Sequence, residues 1–303
     1  MSDPGYVDLQ VNGYAGIDFN DPALTTDMVH EAAGRLRADG TTTVLATVIT
    51  APTDEMVARI RTIARARDEE RSTRSTIAGI HVEGPFLSDR DGYVGAHPRD
   101  NVCDANLSEA ERLIDAGGGA VRLFTLAPER DARGAVTRHL VDRGLVVAAG
   151  HTDATVENLR ACIDSGLSLF THLGNGCPMQ MHRHDNIIWR ALALRDHLRY
   201  GLIADGVHLP PTMLRAIIDL VGIDRCFVVT DAIAAAGLGP GTYTLGRQRV
   251  TVDTDRVVWS EDRTHFVGSA STMAQCAGVL CTAGFRDDET DALVRRNPAA
   301  IVA

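Results

Sequence analysis

Aromatic residues are scarce in this chain, at 5% of 303 residues. A core must therefore be filled by Val, Ala, Leu and Ile. Basic residues are outnumbered, with 30 Lys and Arg against 40 Asp and Glu, for a formal net charge of −10. That balance argues against nucleic acid or an anionic membrane as the main partner. An anionic ligand would need a local basic pocket. No run of about 18 apolar residues is present to cross a bilayer. The N-terminus shows no basic stretch leading into an apolar one, so no secretory signal is visible. The six cysteines, Cys103, Cys162, Cys177, Cys226, Cys276 and Cys281, form no CxxC and lack the dense spacing of a disulfide scaffold. They read as reduced, mostly buried thiols. The expectation is a soluble cytoplasmic protein.

What is present is a rhythm. Hydrophobic residues make up 45% of the chain. Short apolar runs recur at 6–12, 42–50, 76–83, 120–127, 145–151, 167–173, 199–205 and 225–231. They are near-continuous rather than alternating, as expected of parallel strands buried on both faces. Between them lie amphipathic stretches at 25–38, 53–66, 108–116, 130–142, 155–165 and 210–220. Eight strands alternating with helices point to a (β/α)8 barrel, with a doubly wound open sheet as the rival. The expectation is one barrel domain over 1–303. Residues 237–268 break the rhythm as a hairpin-like excursion. Their "GLGPG" has no lysine and follows no strand–loop–helix pattern, so it reads as a turn and not a phosphate loop.

In a barrel, chemistry gathers at the C-terminal ends of the strands. Glu83 ends the third run, His151 ends the fifth, His172 lies near the end of the sixth, and Asp231 ends the eighth. The seventh leads through Asp205 to His208, and the first carries Gln10 and Asn12. A lone strand-end histidine is more often structural than a ligand, and a lone aspartate more often a helix cap. Together, a Glu, two His and an Asp on one rim suit a divalent metal with a spare carboxylate as base.

The ordered motifs DLQVNG, HVEGPF, GHTDAT, THLGNGCP, IADGVH and VVTDA, with GSASTM and NPAAI after them, resemble the N-acetylglucosamine-6-phosphate deacetylase family of the amidohydrolase superfamily. The resemblance spans nearly the whole chain. It implies a metal-dependent TIM barrel that hydrolyses the acetamide of N-acetylglucosamine 6-phosphate. Many amidohydrolases hold a second metal with H-x-H on strand one. Gln10 and Asn12 occupy those positions here, and amides are poor ligands for a zinc-like ion. The resemblance thus implies one divalent metal per chain, zinc by expectation, on Glu83, His151 and His172. Gln10 and Asn12 would hydrogen-bond beside it, or else tie strand one to its neighbours. Asp231 would move the proton, and His97 would bond the amide oxygen. His208, Asn175, the backbone at Gly176 and Arg183 would bind the sugar phosphate, Arg183 across a homodimer interface.

Two departures from the family pattern stand out. Its small β-sandwich domain is expected to be missing here. The loop after strand six reads QMHRHDN, which weakens Arg183 as a phosphate ligand. His182 and His184 form an H-x-H in that loop; substrate stacking or solvent exposure suits them better than a second metal. The alternative readings are a deacetylase of an unphosphorylated or different N-acyl amine, and a non-catalytic scaffold.

Overall fold

The computed structural model describes residues 5–245, 248–254, 256–259 and 268–302. Its main sheet has eight strands: β1 (Tyr6–Val11), β2 (Thr41–Ile49), β3 (Ile77–Glu83), β4 (Val121–Leu126), β5 (Val146–Ala149), β6 (Leu169–Phe170), β7 (Arg199–Ile203) and β8 (Cys226–Val229). They pair in that order, each parallel to the next. This is the barrel order, and it rules out the doubly wound rival.

Closure between β1 and β8 combines one side chain with backbone bonds from the Asn12 and Gly13 N–H groups to the Ala232 carbonyl, at 2.7 and 3.1 Å. The Asp8 carboxylate accepts hydrogen bonds from the Thr230 hydroxyl and from the backbone N–H of Thr230 at 3.2 Å. A parallel bridge from Val11 to Ala232 completes the seam. Asp8 is buried, and burial pushes its carboxyl up from 3.8 to about 7, against the hydrogen bonds that favour the charged form.

The barrel interior is layered. Leu9, Leu45, Leu123, Leu169, Ile203 and Phe227 pack into one buried cluster, and Ile301 and Val302 cover it. Burying each such side chain contributes about 1.5–3 kcal/mol. Alternate residues of a strand share a face. Two residues beyond Leu45 and Leu123, Thr47 and Thr125 therefore face inward as well. Both touch the buried His81, Thr125 at 2.7 Å and Thr47 at 3.4 Å. Two residues beyond His81 comes Glu83, at the mouth. The apolar floor thus ends one layer below the polar rim.

Helices at Thr26–Ala38, Thr53–Glu69, Leu107–Ala116, Val156–Ile163 and Pro211–Val221 follow the expected stretches. The stretch at 130–142 differs. It opens with a turn in which Arg133 and Gly134 have φ of 57° and 68°, and the helix starts only at Ala135. Asp131 caps it by accepting from the N–H groups of Val136 and Thr137. A further helix, Ile187–Leu192, lies just beyond the loop at 180–186, where the sequence suggested no helical stretch. Its cap is Asn186, whose side chain accepts from the N–H groups of Ile188 and Trp189.

Of the excursion expected at 237–268, residues 246, 247, 255 and 260–267 lie outside the described residues. The rest contains an antiparallel sheet of Gly241–Leu245, Gln248–Val252 and Val258–Trp259. Gly237 and Gly239 have φ of 82° and 88°, as a glycine turn requires. Cys162, Cys226 and Cys276 are buried, Cys103 and Cys177 are half-buried and Cys281 is exposed; all six are free thiols. Among the described residues no helix is long and apolar enough to cross a membrane.

Candidate active site

Three residues at the C-terminal ends of strands have left-handed backbone: His151 (φ 50°), His172 (φ 28°) and Asp231 (φ 51°). Such geometry costs a non-glycine residue on the order of 1–3 kcal/mol and clusters at functional sites. All three belong to the rim set that the sequence marked out.

Glu83 is the centre of that set and is 2% exposed. Its Oε1 lies 3.0 Å from His172 Nε2 and 3.4 Å from His151 Nε2. Gln10 reaches it from β1, with Nε2 donating to both carboxylate oxygens at 3.1 Å. The Thr171 hydroxyl donates to Gln10 Oε1 at 2.8 Å, which fixes the amide with its nitrogen toward Glu83. Burial alone would raise the Glu83 pKa, but the bonds and charges of His151 and His172 hold the carboxyl well below the usual range. His172 is raised in turn: its burial is outweighed by Glu83 and Asp231.

The two other imidazoles are oriented from outside. His151 Nδ1 lies 2.9 Å from the Tyr93 carbonyl. A carbonyl only accepts, so Nδ1 carries a hydrogen and donates it to Tyr93, while Nε2 faces Glu83. His97 Nδ1 lies 2.9 Å from the Thr50 hydroxyl, and its Nε2 lies 3.3 Å from His151 Nε2. Burial, with the neighbouring His151, pushes His97 down to about 3, so it is neutral at pH 7.

Across the mouth, Asn12 Nδ2 donates to Asp231 Oδ1 at 2.7 Å. Burial raises the Asp231 pKa and the Glu83 charge adds to it, against the lowering effects of His172, Asn12 and His208. His208 Nδ1 donates to Asp205 Oδ2 at 2.7 Å, and Asp205 also accepts from the His208 N–H. Three polar atoms here are buried without a hydrogen-bond partner, Asn12 Oδ1, His172 Nδ1 and Asn175 Nδ2.

The donors fit a divalent ion of the zinc type, which takes imidazole nitrogen and carboxylate oxygen. Glu83, His97 and His151 offer ligand atoms that all lie within 4.8 Å of one another. His172 joins through its 3.0 Å approach to Glu83. Two triplets can thus be drawn, sharing Glu83 and His151, and the sequence pointed to the one with His172.

The structure brings Gln10, Asn12, Glu83, His97, His151, His172 and Asp231 to one rim, with His208 acting electrostatically on Asp231. Gly176 lies there too: a Cβ on it would fall 2.9 Å from His151 Nδ1. Arg183 is not brought in. It is exposed, and among the described residues it makes no hydrogen bond or ion pair. The H-x-H pair is also outside the cluster, with ring centroids 6.0 Å apart on the exposed loop. Sequence reasoning missed the supporting groups Thr50, Tyr93 and Thr171. A backbone carbonyl such as that of Tyr93 leaves no trace in a sequence, whereas Thr50 and Thr171 sit at strand ends and could have been found there.

Fold and site together define a barrel of the amidohydrolase type, with its metal-ligand chemistry at the C-terminal mouth. The chain belongs to the N-acetylglucosamine-6-phosphate deacetylase family. It is 33% identical to N-acetylglucosamine-6-phosphate deacetylase of Bacillus subtilis (strain 168) over 251 residues, covering 82% of this chain and 62% of that one. To the enzyme of the same name from Danio rerio it is 31% identical over 284 residues, covering 90% and 68%. It superposes on N-acetyl-D-glucosamine-6-phosphate deacetylase of Mycobacterium smegmatis, solved as a mutant in complex with N-acetyl-D-glucosamine-6-phosphate. That match has a TM-score of 0.88 and 33% identity, covering 99% of this chain and 77% of that one. The chain therefore spans less than two thirds of the length of the Bacillus relative. No protein-family model matches it.

Proposed function

We propose that the chain hydrolyses the acetamide of N-acetylglucosamine 6-phosphate to glucosamine 6-phosphate and acetate, as a step in amino sugar catabolism. The observation that carries this is the convergence of Glu83, His151 and His172 on one rim, with Asp231 on the facing side of the mouth. Membership of the deacetylase family supports the substrate.

Glu83, His151 and His172 would hold one divalent ion per chain, zinc by preference. Such an ion would polarise the amide carbonyl and lower the pKa of water. Asp231 takes a proton from the attacking water and returns it to the leaving nitrogen. Its raised proton affinity suits both halves of that exchange. His97 donates from Nε2 to the amide oxygen as charge develops there, its Nδ1 held 2.9 Å from the Thr50 hydroxyl. Gln10 and Asn12 hold the two carboxylates apart. The buried, unpaired Asn175 Nδ2 supplies a donor, with the Gly176 backbone beside His151 and His208 acting on the Asp231 side. Arg183 would meet the phosphate from the partner subunit of a cytoplasmic homodimer.

A second reading has one observation in its favour. The exposed Arg183 does not point to a built phosphate site within the chain. The same hydrolase would then act on an unphosphorylated or different N-acyl amino sugar. Acetate release from N-acetylglucosamine, with and without the 6-phosphate, separates the two. A preference of tenfold or more in kcat/KM for the phosphorylated sugar is expected; equal rates would assign the second reading.

A further inference from the structure

We propose that Asp153 is a positioning residue for the metal site, acting through Tyr93 on His151. The inference rests on the metal-site reading above and concerns how this chain keeps one ligand in register.

Asp153 lies two residues beyond His151, where three rim loops meet. Its Oδ1 accepts from the Tyr93 hydroxyl at 2.9 Å and from Arg190 Nη1 at 3.0 Å. Its Oδ2 accepts from Arg90, and its side chain is 14% exposed. The turn that presents it is fixed by Glu129, which accepts from the Asp153 N–H at 2.8 Å. Arg190 is held in turn by Asp185 at 2.6 Å.

Tyr93 is therefore tied at both ends. Its hydroxyl donates to Asp153, and its carbonyl accepts from His151 Nδ1. The hydroxyl stays a donor, since burial and the Asp153 charge push it up to about 12. A cavity of about 450 Å³ opens behind this clamp, lined among others by Arg90, Asp153 and Arg190.

Gly95 and Gly176 lie against the Nδ1–Cε1 edge of the His151 ring, with φ of 59° and 60°, and a Cβ on either would come within 2.9 Å of it. If the Tyr93 carbonyl swings away, Nδ1 loses its acceptor. The hydrogen can then move to Nε2, the atom that would bind metal. Partners of this kind typically change metal affinity by about 10–100-fold.

The test is zinc affinity of the full chain, read by competition with a chromogenic chelator. Asp153→Asn is expected to weaken zinc binding by about tenfold or more. Tyr93→Phe removes only the hydroxyl and should act in the same direction, with the metal-free protein melting as wild type does. Because both changes break one link, the double variant should bind zinc no worse than Asp153→Asn alone. Asp185→Asn, which loosens Arg190 without touching Tyr93, should stay within about twofold of wild type. Wild-type affinity in either Asp153→Asn or Tyr93→Phe would overturn the proposal, as would an equal loss in Asp185→Asn. Wild-type protein that binds no zinc would overturn the metal-site reading itself, and that outcome is distinguishable from the others.

Discussion

Gln10 Nε2 lies 3.1 Å from each carboxylate oxygen of Glu83. A neutral amide on β1 thus stands against the carboxylate where many amidohydrolases place imidazoles for a second metal. The amide directs an N–H at Glu83, shared between the two oxygens, and an amide nitrogen has no lone pair to offer a cation.

Asp231→Asn preserves shape but cannot take up a proton. Metal content and substrate binding should be retained while kcat falls by at least about 100-fold, the low end for general acid–base catalysis. Near-normal turnover with full metal would move the proton transfer to another group.

His172 and His97 both lie near the Glu83–His151 pair, and only one is expected to be a ligand. His172→Ala should lose metal. His97→Ala should keep it and lose about 100-fold or more in kcat, as for removal of an oxyanion donor. Elemental analysis of the two variants decides between the triplets, and loss of metal only in His97→Ala would exchange the roles.

Asp8 makes stability depend on pH. Its folded-state pKa is about 7 against an ordinary 3.8, so the folded form prefers the protonated carboxyl. Its contribution is full below about pH 4, falls as pH rises toward 7 and is flat above. The difference corresponds to roughly 4 kcal/mol. Asp8→Asn should flatten this part of the profile, measured by urea unfolding from pH 4 to 8. Parallel profiles for the two proteins would contradict it.

Arg183→Ala should raise KM for the 6-phosphate sugar by about 10–100-fold, the range of a charge-assisted pair. KM for the unphosphorylated sugar should hardly move. If the arginine acts across a dimer, mixing Arg183→Ala with Asp231→Asn chains should restore part of the activity. No recovery in a demonstrated mixed dimer would place Arg183 elsewhere.

The strands were legible because burial on both faces writes continuous apolar runs. The same side for Gln10 and Asn12 followed from their spacing alone. Helix Ile187–Leu192 was not legible: its cap, Asn186, sits in a polar loop, and six residues carry too little periodicity. The helix start at 130 was misplaced because Gly134 takes a left-handed turn before Ala135. The polar ties around His151 were hidden for a different reason. Tyr93 acts there through its backbone, and Asp153 acts through residues 60 and 37 positions away.

The most direct test of a one-metal amide hydrolase is to return metal to protein stripped by chelator. Acetate release from N-acetylglucosamine 6-phosphate should be absent without metal. It should then rise linearly with added zinc and level off at one equivalent per chain. A break at two equivalents, or full activity in the stripped protein, would contradict the account.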